Sequence, residues 1–276
     1  MSGSEDLLKS LPSWTHYYEK FEKSPPGCTD TNKCNTERDS YGLLNRGLGN
    51  EHVQAGNTLA YIYETYGGGQ HRKPAECEAL HFFFYWLGDK LPESAKNVAF
   101  QAMISTICSA INSPSEKQAC GIPRDDQSVD KDLFLHRKII FDFWYDHPTI
   151  QVLLENSGSE GLEKCEKYIQ RVKAAHSAVA INCATETTRS YCTTFWKDHQ
   201  EKINLALAQL QSKFDSAQQR IQRKAITASN QLNDAIHQAN KASSLSSAFG
   251  TLAALELPAL AYFLYKVKNY NYSSEI

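Results

Sequence analysis

No cysteine follows Cys192 and no proline stands between Ser159 and Pro258, so the second half of the chain is open to long uninterrupted helix. Alternating runs of β-branched residues are scarce, which argues against a β-rich fold. Lysine and arginine form no stripe: acids and bases are interspersed, the formal net charge is −2, and the electrostatic footprint of a nucleic-acid binder is missing. No dinucleotide fingerprint or spaced acid pair appears, and the glycine triplet at 67–69 lacks the Lys-Ser/Thr ending of a phosphate loop. Residues 1–20 hold no basic stretch followed by an apolar core, so no cleavable secretory signal is expected.

What is present reads as helix. With 41% hydrophobic and 11% aromatic residues the chain has ample material for a packed core, which sets it apart from disordered sequences. A first helix carries Trp14, Tyr17, Tyr18 and Phe21 behind a Ser13 cap and stops at Pro25. A second runs from about Asn50 to Tyr66 and ends at the glycines, where positive φ is tolerated. In the third, Pro74 fits the first turn, and Leu80, His81, Phe82, Phe83, Phe84, Tyr85, Trp86 and Leu87 are apolar or aromatic on every face, the mark of a helix buried all round. Gly88 is expected to punctuate it.

Pro92 opens a fourth helix with Val98, Met103, Ile104, Ile107 and Ile111 at helical spacing, and a fifth follows Ser128 and is expected to stop near Pro148. Leu162, Cys165, Ile169, Val172 and Val179 then mark one face of another. Residues 196–241 form a long helix in which Ile203, Leu207, Leu210, Phe214, Ala217 and Ile221 repeat in a three-four stagger, extended by Leu232, Ile236 and Ala239. This segment reads as a stalk or, alternatively, as a core helix broken near 225–229.

Residues 245–267 are long enough to cross a hydrocarbon core of roughly 30 Å at about 1.5 Å per residue. The run opens at Leu245; Glu256 at its centre costs about 2.5 to 3.5 kcal/mol of insertion free energy, while Phe249, Leu252, Leu255, Leu257, Leu260, Phe263 and Leu264 return roughly 0.3 to 0.6 each. Pro258 is better tolerated in lipid than in a soluble helix, and Tyr262, Tyr265, Lys266 and Lys268 suit the interface. Gly250 and Ala254 form a small-xxx-small pair of the kind that joins such helices into a weak homo-oligomer.

All eight cysteines, Cys28, Cys34, Cys77, Cys108, Cys120, Cys165, Cys183 and Cys192, precede that span, a one-sided and even-numbered pattern that fits disulfides in an oxidising space. Sequence leaves on the order of a hundred pairings open. His71, Cys77 and His81 have zinc-ligand chemistry but no fourth partner, and no cysteine and histidine share a nucleophile signature. No catalytic, metal or cofactor-binding residue is therefore assigned, and an enzyme is not expected.

The segment CEALHFFFYWLGD at 77–89, followed by KLP at 90–92, resembles the central signature of the Plasmodium interspersed repeat (PIR) proteins. Residues 246–265, SSAFGTLAALELPALAYFLY, resemble their anchor, and Leu11-Pro12-Ser13 stands near the start. The resemblance covers almost the whole chain and is nearest to the KIR branch of simian malaria parasites. It implies a variant antigen of a blood-stage parasite, exported to the infected erythrocyte, with no enzymatic activity. Glu256 departs from it, standing where the family usually has a small or apolar residue.

The expected architecture is all-α: a cysteine-containing helical ectodomain at 1–195, a long helical stalk at 196–242, one transmembrane helix at 243–267 and a short tail at 268–276. Its expected partners are membrane lipid and a host protein receptor or antibody, with no nucleic acid and no cofactor. The competing reading is a tail-anchored intracellular trafficking or tethering protein, since a long staggered helix leading into a C-terminal anchor is also how a SNARE is built.

Overall fold

A computed structural model describes residues 2–23, 52–67, 72–91, 97–112, 120–122 and 129–243. The elements are α1 (Ser2–Ser10), a one-turn π-helix (Trp14–Tyr18) running into α2 (Glu19–Glu22), α3 (His52–Tyr66), α4 (Pro74–Lys90), α5 (Asn97–Asn112), α6 (Lys131–Asn156), α7 (Ser159–Thr185), a second π-helical turn (Cys192–Trp196) and α8 (Lys197–Ser243). The described residues contain no strand, and all their regular elements are helices. Two compact units are distinguished, Met1–Lys213 and Phe214–Ile276.

Within the first unit α4 is the centre. Phe82, Phe83, Phe84, Tyr85, Trp86 and Leu87 are each at most 4% exposed, as their all-round apolar pattern requires. Four elements pack on α4: α3, α5, α6 and the first π-turn. Tyr17 stacks on Phe82 at 4.2 Å between centroids, and Phe134 of α6 meets Phe84, Tyr85 and Phe100 edge-on or tilted. The α6–α7 pair forms a second layer, and Leu162, Cys165, Ile169, Val172 and Val179 are its buried α7 face.

Two expected stops are overridden by packing. Gly88 does not end α4 but lies inside it, fully enclosed, where an added Cβ would overlap the Phe134 ring and approach Ile104 Cδ1 to 3.1 Å. The glycine brings α4 and α6 together. Pro148 likewise lies within α6. An interior proline costs about 3 kcal/mol, yet burying Phe143, Ile150 and Leu154 stabilises the helix by roughly 1.5 to 3 kcal/mol each. The carbonyl that Pro148 leaves without its helical donor, Trp144 O, sits 2.9 Å from His147 Nδ1.

Gly67 also differs in its reason. It follows α3 as expected, but a Cβ there would collide with the Tyr63 carbonyl that its own N–H bonds at 3.0 Å, and its φ is not positive. The left-handed conformation is taken instead by Gly121, with φ 71°, beside Cys120.

Helix α8 is continuous from Lys197 to Ser243, so the break considered near 225–229 does not occur. In the first unit Ile203, Ala206, Leu207 and Leu210 are buried, and Gln211 and Gln209 bond Lys173 and Gln151. In the second, Phe214 and Ala217 are buried, whereas Ile226 and Ile236 are exposed.

Disulfides join Cys77 to Cys120 and Cys183 to Cys192. Cys108 and Cys165, candidates for bridging, belong to neither: both are buried on inner helix faces, where a cysteine acts as a small apolar filler. Cys28 and Cys34 lie outside the described residues. So does the expected membrane span with Leu245, Phe249, Leu252, Leu255, Glu256, Leu257, Pro258, Leu260, Phe263 and Leu264. Among the described residues no helix is long and apolar enough to cross a membrane.

The glycine contact gives a direct test. Gly88→Ala is expected to destabilise the fold by about 1 to 3 kcal/mol, because the enclosed Phe134 ring has nowhere to move. Thermal or denaturant unfolding measures it, and a neutral variant would refute the close approach.

Candidate functional site

Successive turns of α6 carry polar residues on the face turned to the N-terminal segment. Lys138, Asp142 and Asp146 follow one another four residues apart, with Tyr145 three after Asp142, so they share one side of the helix. Across from them stand residues of the first π-turn and its entry. Ser13 was expected to cap a helix, but its backbone is itself helical (φ −55°, ψ −41°) and its side chain caps nothing. It donates to Asp146 twice, from N to Oδ1 at 2.7 Å and from Oγ to Oδ2 at 2.6 Å. Tyr18 Oη donates to Asp142 Oδ1 at 2.5 Å, Tyr17 Oη donates to Glu78, and His16 Nδ1 meets Tyr145 Oη at 3.1 Å.

A cleft of about 220 Å³ opens along this seam. Trp14, Tyr18 and Ile139 wall it together with Trp86, and its floor and rim include Ser13, Asp146, Tyr168 and Arg171. Its charges are largely matched from within. Lys138 bonds Asp142 at 2.9 Å and lies 4.4 Å over the Tyr18 ring; Glu22 accepts from Trp86 Nε1 at 3.0 Å and from Lys90 at 2.7 Å.

Burial governs the ionisation of these groups. Asp146, 1% exposed, is pushed up to about 7 by loss of water and by the neighbouring Asp142, against the opposing pull of the two Ser13 hydrogen bonds and Lys138. Tyr17, Tyr18 and Tyr168 are raised chiefly by burial, so all three keep their protons. A buried carboxyl poised near neutrality is a general-base candidate on chemistry alone. Here both oxygens are occupied by Ser13, one by its backbone N–H and one by its hydroxyl.

The zinc candidates are not brought together. Cys77 is oxidised in its disulfide, and His81 stacks on Phe141 with Nδ1 2.8 Å from Cys77 O, its basicity lowered by burial. His71 lies outside the described residues.

Sequence reasoning missed Asp142, Asp146, Tyr168 and Arg171. The available signal was the row of charged residues interrupting an otherwise apolar helix at helical spacing; its meaning depended on a partner 133 residues away.

The described residues form an all-helical body stapled by two disulfides. The family model for the Plasmodium vivax Vir protein matches residues 12–269, and the chain belongs to this family of malaria-parasite variant antigens. No curated protein and no solved structure matches it.

The burial of Asp146 makes stability pH-dependent. Because the folded carboxyl holds its proton more tightly than the unfolded one (3.8 rising to about 7), its contribution is complete below about pH 4 and is lost as pH rises through 7. Asp146→Asn should flatten unfolding midpoints over that window. Ser13→Ala should cost about 1 to 3 kcal/mol and move the Asp146 titration, read by carboxyl carbon NMR, further upward. An unchanged slope in the asparagine variant would refute the assignment.

Proposed function

We propose that this chain is an exported surface antigen of a blood-stage malaria parasite, carried to the infected erythrocyte, where it acts by binding in host interaction and immune evasion and not by catalysis. The observation that carries this reading is the family match across residues 12–269. The helical body closed by Cys77–Cys120 and Cys183–Cys192 supports it, since such bridges persist in oxidising spaces. In this reading residues 245–267 form the single membrane anchor and the body before them faces outward. The partners are membrane lipid and a host protein receptor or antibody, and Gly250 and Ala254 allow a weak homo-oligomer in the membrane.

The unbroken helix Lys197–Ser243 supports a second reading, a tail-anchored tethering protein with its body in a reducing compartment. The two readings differ in what intact cells expose. Protease added to intact infected erythrocytes should remove the region before Ser243, and peptide mapping without reductant should recover both cross-linked cysteine pairs. Full protection together with four reduced thiols at those positions would favour the tethering protein.

A further inference from the structure

Four tyrosine rings meet where α3, α4, α6 and the first π-turn converge. Tyr17 of the π-turn lies between Tyr66 of α3, at 6.4 Å between centroids, and Tyr145 of α6, at 5.8 Å; Tyr61 stands edge-on to Tyr66 at 6.4 Å. Tyr17 is the buried floor, stacked on Phe82, whereas Tyr61, Tyr66 and Tyr145 are half-buried and keep part of their surface in water. Among the described residues every ring contact of these three is tilted or edge-on, so no ring is stacked on their faces.

Glu78 of α4 is exposed at the edge of this group. It accepts from Tyr17 Oη through one oxygen; among the described residues its other oxygen has no donor and it makes no ion pair. Its charge reaches both neighbouring rings. Burial first, then Tyr61, Tyr145 and Glu78, push Tyr66 up to about 12, and burial followed by Glu78 raises Tyr145, so both phenols stay neutral. Elsewhere the protein covers its surface rings with its own cations, Lys9 over Trp14 at 5.9 Å, Lys90 over Trp86 at 5.8 Å and Lys138 over Tyr18 at 4.4 Å. Among the described residues no cation lies over Tyr17, Tyr61, Tyr66 or Tyr145.

We propose that this face takes an arginine side chain of a protein partner, its guanidinium stacked on Tyr66 and donating to the free oxygen of Glu78. The inference deepens the binding role proposed above and rests on it. Charge complementarity selects a cation, because an anion meets Glu78. The planar fork of arginine stacks on a ring and donates to a carboxylate at the same time; the ammonium of lysine does not stack, and a quaternary ammonium has no N–H for Glu78. Tyrosine and arginine are also among the residues that dominate protein–protein contacts.

The test is NMR titration of the full chain in a neutral maltoside detergent, with ring-labelled tyrosine assigned through Tyr→Phe variants. The probes are blocked Gly-Xaa-Gly peptides carrying arginine, its neutral isostere citrulline or lysine, and the tetramethylammonium ion. The arginine peptide should shift the Tyr66 and Tyr145 signals saturably with a Kd of about 10 mM or tighter, and each other probe should bind at least about threefold more weakly. Glu78→Gln should weaken the arginine peptide by about fivefold or more, its amide oxygen still accepting from Tyr17. Tyr66→Leu, read on Tyr145, should weaken it by about threefold or more. The comparison of probes is made on the wild-type chain, so it stands whether or not a variant folds. No saturable shift, equal binding of citrulline or lysine, equal binding of tetramethylammonium (the mark of a quaternary-ammonium site), or unchanged affinity in either variant would each overturn the proposal. A negative result on the isolated chain strikes this face alone, whereas failure of the exported-antigen reading shows as protease protection in intact cells.

Discussion

A helix that is apolar on every side cannot rest on one surface; it must be surrounded, and that requirement organises the first unit. Residues 82–87 of α4 present five aromatic rings and a leucine around the whole circumference. Burying each large side chain stabilises by roughly 1.5 to 3 kcal/mol, so leaving any one side open would forfeit more than a typical surface interaction supplies. Four elements from distant parts of the chain therefore converge on it. The glycine at 88 is a consequence of the same demand, since α6 can close the last side only where α4 offers no Cβ to Phe134.

Closing that shell from the N-terminal side creates a second problem. The first π-turn brings Tyr17 and Tyr18 into the core, and their hydroxyls must be matched there. Carboxylates supply the acceptors: Glu78 from α4 for Tyr17 and Asp142 from α6 for Tyr18. Asp146 then binds the backbone N–H and hydroxyl of Ser13 just ahead of the turn. A buried carboxylate is costly alone, and the two hydrogen bonds only partly offset the loss of water, which is why its affinity for a proton rises. The seam thus fixes the orientation of the entering segment more than it adds net stability. Leu11, fully buried beside it, supplies the apolar part of the attachment.

Apolar periodicity marked α3 to α8 but not α1, whose only apolar residues are the adjacent Leu7 and Leu8. The all-round pattern of α4, the single buried face of α7 and the stagger of α8 as far as Ala217 each predict burial that the structure contains, because periodicity reports the average environment of a face, whereas Ile236 and Ala239 further along α8 are exposed. Punctuation was less legible. Gly88, Pro148 and Ser13 are local signals for ending or starting a helix, and in all three the decision belongs to a remote contact: Phe134 against the glycine, the buried residues beyond the proline, Asp146 opposite the serine. Local propensities are worth about 1 to 3 kcal/mol, and a few buried side chains exceed that. The cleft was illegible for the same reason, since Trp14, Ile139 and Arg171 are distant in sequence and share a surface only after folding.

Cysteines left outside a bridge do not by themselves argue for a reducing compartment. A thiol enters exchange as its thiolate, and burial suppresses that form: Cys165 is 1% exposed and its acidity is lowered mainly by lost hydration. It can persist reduced beside oxidised pairs. Bridging is useful only where it restrains an otherwise costly loop. Closing the 43-residue separation of Cys77 and Cys120 removes about 4 kcal/mol of chain entropy from the unfolded state, and the 9-residue separation of Cys183 and Cys192 about 2.5. The first tethers the start of α4 to the segment between α5 and α6; the second clamps the turn between α7 and α8. Both fasten connections, while the packed helix faces, Cys165 among them, are held by burial alone.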